Sequence, residues 1–223
     1  MTGSAPTDRR SFLRIAAASG LVVAGAMTAP GPARSQAAAA PVSIGELMAE
    51  PTLPDIWLGA KDAPVTMIEY ASMTCTHCAA FHQETWPTLR SKYIDAGKVR
   101  FVLREFPLDP LATAGFMLAR CAGPEKRNAI VDLLFTQQKN WAFVPKPVEA
   151  LESTVKQAGI THDAFEACLK DQKLYDQVNQ ERDKAGQQFK VDATPTFFIN
   201  GVRHSGELTV PELDKILAPL IKS

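Results

Sequence analysis

Residues 65–86 read VTMIEYASMTCTHCAAFHQETW, and the fold turns on how the middle of that stretch is taken. APVTMIEYA, ending at Ala71, is a short run rich in β-formers and apolar on both faces, the pattern of a buried strand. From Cys78 the apolar residues recur at helical spacing through Phe81, Trp86, Leu89 and Ile94, until Gly97 ends the pattern. The pair Cys75-Thr76-His77-Cys78 therefore sits where a strand gives way to a helix.

Two cysteines separated by two residues suit a zinc half-site, a haem anchor or a redox pair. A four-cysteine zinc site usually shows a second close pair, and the other cysteines, Cys121 and Cys168, stand alone. Haem attachment requires histidine directly after the second cysteine, where this chain has Ala79. The redox reading remains, with an inert structural loop as its alternative. At a helix start the first N–H groups lack internal partners and the dipole places partial positive charge there. A thiolate at Cys75 would accept those groups, and its pKa would fall. An imidazolium at His77, close to Cys75 in space, would favour the anion further. Stabilising the thiolate stabilises the reduced pair, so its disulfide is readily passed to another protein.

The first 37 residues are a different material. Arg9, Arg10 and Arg14 precede a small-residue apolar run from Ile15 to Met27, and small residues follow at Ala33, Ser35 and Ala37. That is the order of an export signal, and R-R-S-F-L-R resembles the twin-arginine class. The apolar run is too short and too rich in Gly and Ala for a stable membrane anchor. Without residues 1–37, 20 basic residues face 23 acidic ones, which leaves no nucleic-acid footprint. In an exported chain cysteines suggest disulfides before metals. Spacing favours Cys75 with Cys78, leaving Cys121 with Cys168, expected as a structural disulfide with free buried thiols as the alternative.

Residues 38–62 read as an arm in which Pro51 and Pro54 forbid one long helix. KVRFVLREF alternates as a second strand, Val99 to Phe106. Residues 108–188 are helical in texture throughout, each segment bounded by Pro, Gly or a cap such as Thr161. Strand character returns in VDATPTFFINGVRHSG, with a turn at Asn200-Gly201, and TVPELDKILAPLIKS closes as an amphipathic helix. This is one α/β unit split by a helical insertion: residues 63–107 and 189–223 must rejoin in one sheet, because neither piece buries enough surface alone.

Three motifs, E-Y-A-S-M-T-C-T-H-C, K-V-R-F-V-L-R-E-F-P and A-T-P-T-F-F-I-N-G, resemble those of DsbA-type thiol:disulfide oxidoreductases of the thioredoxin-fold superfamily, from about Ala63 onward. The resemblance implies a thioredoxin fold with an inserted all-helical subdomain. It makes Cys75 the nucleophile and Cys78 the resolving thiol, and places Thr194-Pro195 as a cis-proline loop against them. Backbone at Thr194 would then pair with an extended substrate segment. DsbA proper has proline where this chain has Thr76, so its redox potential does not carry over. Glu69, on the apolar side of its strand with Val65 and Met67, matches the buried acid that relays a proton to the resolving thiol; the alternative is a surface glutamate.

His82, one turn after Cys78, could tune the site but is expected as an exposed helix histidine, and His162 and His204 as structural or solvated. Phe81, Trp86, Phe116, Phe135, Trp141 and Phe143 read as core. Some of Met73, Phe116 and Met117 could form an apolar substrate groove. No metal or cofactor is expected. The function implied is a monomeric periplasmic oxidase that acts on reduced or unfolded exported proteins and is reoxidised by a DsbB-type membrane partner. A reductase or isomerase, kept open by threonine before the cis-proline, and a non-catalytic chaperone-like module are the alternatives.

Overall fold

The computed structural model describes residues 41–49 and 51–221; the export-signal expectation for residues 1–37 lies outside them. Four strands make one sheet in the order β2-β1-β3-β4: β1 (Val65–Ala71), β2 (Val99–Glu105), β3 (Thr196–Ile199) and β4 (Val202–Ser205). β1 and β2 run parallel, Val65 opposite Val99. β3 returns antiparallel to β1, Tyr70 opposite Thr196, and the Asn200-Gly201 turn folds β4 back beside it. Both turn residues have positive φ, as such a tight hairpin requires.

Alternation divides β1 between two cores. Val65, Met67 and Ala71 face one with Phe81, Trp86, Leu213 and Leu217; Ile68 and Tyr70 face the other with Leu47, Ala185 and Phe189. β1 is thus apolar on both faces because both are covered.

The helical connection between β1 and β2 runs through α2 (Thr76–Ala80) and α3 (Trp86–Thr88), with wider π-type turns at Phe81–Thr85 and Leu89–Ile94. Pro87 has no N–H for the ladder, and around it the bonds lengthen to i→i−5, as from Trp86 N–H to the Phe81 carbonyl.

Ahead of the sheet, α1 (Ile44–Met48) starts with a Ser43/Glu46 capping box and buries Leu47. Downstream of α1, Leu58 pairs with Phe101 and covers the outer edge of β2. Asp55 forks onto Arg104, at 2.8 and 2.9 Å.

Between β2 and β3 the chain is helical: α4 (Pro110–Cys121), α5 (Pro124–Thr136), α6 (Gln138–Trp141), α7 (Pro147–Lys156), α8 (His162–Leu169) and α9 (Gln172–Gln188). A disulfide joins the ends of α4 and α8 through Cys121 and Cys168. α10 (Val210–Ile221) closes the chain. This is a thioredoxin fold carrying an all-helical insertion.

Two packing expectations fail. Phe143 is 56% exposed, because it falls in the short segment between α6 and α7 rather than on a helix face. Met73, Phe116 and Met117 are wholly buried, so they pack the joint between insertion and sheet and offer no groove.

Candidate active site

β1 ends at Ala71, and Ser72, Met73 and Thr74 carry the chain to Cys75, the N-cap of α2. This approach loop is pinned from the insertion. The Thr74 hydroxyl donates to Asp109 at 2.5 Å, and Asp109 also caps α4. Gln138, buried at the start of α6, donates from one amide to the carbonyls of Met73 and Cys75, at 2.8 and 2.9 Å. Asp109 and Gln138 escaped the sequence reading, since a buried glutamine bonded to a distant backbone leaves no local pattern.

Cys75 and Cys78 are both free thiols. The Cys78 backbone N–H donates to the Cys75 sulfur at 3.4 Å, and the sulfur lies 3.2 Å from the Thr194 carbonyl oxygen. The Thr194–Pro195 bond is cis. Since Tyr70 pairs with Thr196, the residues just before β3 necessarily lie beside the loop that leaves β1.

The two thiols are driven apart in acidity. Cys75 is lowered to about 5, first by the Cys78 thiol as donor, then, against partial burial, by the Thr194 side chain and the N–H groups of Cys78 and His77. The buried Thr194 hydroxyl itself completes no hydrogen bond of good geometry. Cys78 is raised well above an ordinary thiol, mostly by burial and further by Cys75 and the Glu69 charge.

His77 departs from expectation in how it acts. Its side chain is 72% exposed and turned to Glu207, 3.4 Å away, and it favours the Cys75 anion through its backbone N–H. Glu69 is fully buried beneath the pair. His82 is also buried, contrary to the exposed position expected: the π turn rotates it inward, where Nε2 meets Glu69 Oε2 at 3.0 Å. His162 is exposed and pairs with Glu152. Among the described residues no three His, Cys, Asp or Glu side chains converge as a metal site.

The thioredoxin family model matches residues 52–218. A Rickettsia bellii relative named "Putative protein-disulfide oxidoreductase" is 34% identical over 150 residues, which are 67% of this chain and 58% of that one. The chain thus spans just over half the length of the curated relatives it matches. Among solved structures, α-DsbA1 of Wolbachia pipientis is 31% identical with a TM-score of 0.73, covering 80% of this chain and 96% of that one. Oxidised BdbD of Bacillus subtilis, at 21% identity and a TM-score of 0.66, shares the fold over 76% of this chain and 94% of its own. With these matches beside a strand-to-helix cysteine pair faced by a cis-proline loop, the chain belongs to the thioredoxin family in its DsbA-type branch.

Proposed function

We propose that this chain is a thiol:disulfide oxidoreductase that donates the Cys75–Cys78 disulfide to exported proteins in the periplasm. A substrate thiolate attacks Cys75, the Cys75–Cys78 bond breaks, and a mixed disulfide forms. The substrate's second thiol then displaces Cys75, leaving the substrate oxidised and both enzyme thiols reduced. Extended substrate is received along the Thr194 backbone beside Pro195. A membrane partner of the DsbB type regenerates the disulfide.

The observation that carries this reading is the split between the two thiols. Cys75 sits near pKa 5 at a helix start, and Cys78 is buried and reluctant to ionise. A stable Cys75 thiolate lowers the energy of the reduced pair and makes the disulfide a donor. Export is supported by the residue order of 1–37 and by the Cys121–Cys168 disulfide, which suits an oxidising compartment. Among the described residues no helix is long and apolar enough to cross a membrane.

Isomerase-type relatives place threonine before the cis-proline, as here at Thr194, and this keeps a reductase or isomerase as the second reading. The arm weighs against it. Leu47, Asp55 and Leu58 are spent on the chain's own core and β2 edge, which leaves no N-terminal dimerisation domain within residues 41–62. The deciding measurement is the reduction potential: a value towards the oxidising end supports the oxidase, and one near thioredoxin's, about −270 mV, supports the reductase.

A further inference from the structure

Below the cysteine pair lies a line of polar groups that runs from the buried resolving thiol to the surface. Glu69 on β1 and His82 in the π turn are buried and bonded, Oε2 to Nε2, at 3.0 Å. Each keeps one further polar atom without a hydrogen-bond partner, Glu69 Oε1 and His82 Nδ1. Orphaned buried polar atoms are uncommon and call for a reason. Nδ1 points outward, 3.9 Å from Asp132 Oδ1 on α5, and Asp132 Oδ2 lies 3.7 Å from Arg90. Side-chain exposure climbs along the line, from 0% at Glu69 to 3% at His82, 30% at Asp132 and 51% at Arg90. The imidazole is clamped by a stacked Phe135 ring at 4.3 Å and by Trp86 and Phe81. Beside it, a cavity of ≈ 10 Å³ lined in part by His82, Asn128 and Asp132 has about the room of one water molecule.

We propose that Glu69, His82 and Asp132 form a proton route between the Cys78 sulfur and solvent, with His82 as its transfer element. This rests on the oxidoreductase reading. It extends the buried acid by two residues that no sequence motif marks. Cys78 is fully buried and cannot exchange its proton with water directly.

When a mixed disulfide on Cys75 is resolved by Cys78, the thiol proton passes to Glu69. The freed electron pair attacks the Cys75 sulfur, and the partner leaves as a thiolate. As Glu69 takes the thiol proton, the proton shared between its Oε2 and His82 Nε2 settles on Nε2, and Nδ1 releases its own proton to Asp132 and solvent. An imidazole can take a proton at one nitrogen and lose one at the other without turning its ring. In the opposite direction, Cys78 leaves as a thiolate and the same route returns its proton. The charged groups that face His82 are Glu69 from β1 and Asp132 from α5, with Cys78 one turn earlier on its own helix and Arg90 beyond Asp132.

The test mixes the reduced full chain with glutathione disulfide and follows two steps by acid quench and mass: glutathionylation at Cys75, then resolution by Cys78. In His82→Gln, which can still bond Glu69 but cannot relay, resolution is expected to slow at least about tenfold, within the range that general acid–base transfer supplies. Glutathionylation should keep its wild-type rate. Asp132→Asn, half-exposed and mild for folding, should slow the same step and raise its solvent deuterium isotope effect. A folded His82→Gln that resolves at the wild-type rate and pH profile overturns the route. Should His82→Gln not fold, a wild-type profile in Asp132→Asn overturns it alone. Failure of the wild-type chain to form or resolve the mixed disulfide overturns the oxidoreductase reading as well.

Discussion

Cys75 and Thr194 stand 119 positions apart in the chain, yet the Cys75 sulfur lies 3.2 Å from the Thr194 carbonyl oxygen. That oxygen can accept from a thiol and repels a thiolate, whereas the Cys78 and His77 N–H groups favour the anion. Together with the Cys78 thiol the donors prevail, and Cys75 settles near 5. The cis-proline loop thus sets two opposed groups against the sulfur, a carbonyl that disfavours the anion and a Thr194 side chain that favours it.

The first prediction concerns the donor that matters most. Cys78→Ala removes the S–H that contributes most to lowering Cys75, so the Cys75 pKa should rise from about 5 towards the ordinary thiol value of roughly 8.5. Cys78→Ser keeps a donor at the same place and should hold the pKa low. Thiolate absorbance at 240 nm across a pH titration checks both. A Cys75 pKa near 5 in both variants would show that the backbone donors alone suffice.

The pH dependence of the potential follows from the same split. Above pH 5 the reduced pair carries one proton, on Cys78; below it, two. The reduction potential should fall by about 30 mV per pH unit above pH 5 and by about twice that below, since a tenfold change in a two-electron couple is about 30 mV. Stability has a definite sign. A depressed folded pKa stabilises the reduced protein fully above the unfolded thiol's pKa, and the effect is lost as pH falls through about 5. The Tm of the reduced form, relative to the oxidised form, should therefore climb from pH 5 towards pH 8.

Gln138 offers a test of the approach loop. Replacing it with leucine strands the carbonyls of Met73 and Cys75 in a dry environment, at about 1–3 kcal/mol. The loop that aims Cys75 loses its tie to α6, so the rate of exchange should fall while the Cys75 pKa, which owes nothing to Gln138, stays near 5. Denaturant melts and single-turnover exchange separate the two effects. Unchanged stability would mean the carbonyls find water.

What the sequence made legible was what local pattern encodes. β1 and β2 announced themselves by composition and alternation, the hairpin by Asn200-Gly201, and the α8 cap by Thr161. Glu69 could be placed on the apolar side because alternation is a local rule. His82 could not. An ideal helix leaves its position undecided, and only the π turns around Pro87 bring the ring under the sheet. Phe143 differs for the converse reason: helical spacing extends to it, but the helix ends at Trp141. Gln138, Asp109 and the partners of Glu105 depend on contacts between distant segments, which no window of sequence reports.

Removing the second disulfide should cost stability and spare chemistry. Cys121 and Cys168 enclose a separation of 47 residues, and the double alanine variant should lose up to about 4 kcal/mol by the chain-entropy account. The bond joins α4 to α8 and touches neither Cys75 nor the Thr194 loop, so the potential should not move. A shift in potential beyond about 30 mV, a tenfold change in equilibrium, would reveal coupling between insertion and site.

Glu105 anchors a cluster of buried charges. Its two oxygens take Arg120 at 2.8 and 2.9 Å and Arg127 at 2.7 Å, and Arg127 is wholly buried with a second bond to the Leu103 carbonyl. Burial works to raise the Glu105 pKa, but Arg127 and Arg120 outweigh it and hold the carboxyl near 2. Its contribution is therefore complete above the ordinary carboxylate range and declines as pH falls from there to about 2, so this cluster adds acid sensitivity across that window. Glu105→Gln leaves the Arg127 charge uncompensated in the interior and should cost about 3–5 kcal/mol. Adding Arg127→Met removes that stranded charge, and the double variant should regain much of the loss. A single variant as stable as wild type in urea would show that Arg127 reaches water by a rearrangement absent from the native packing.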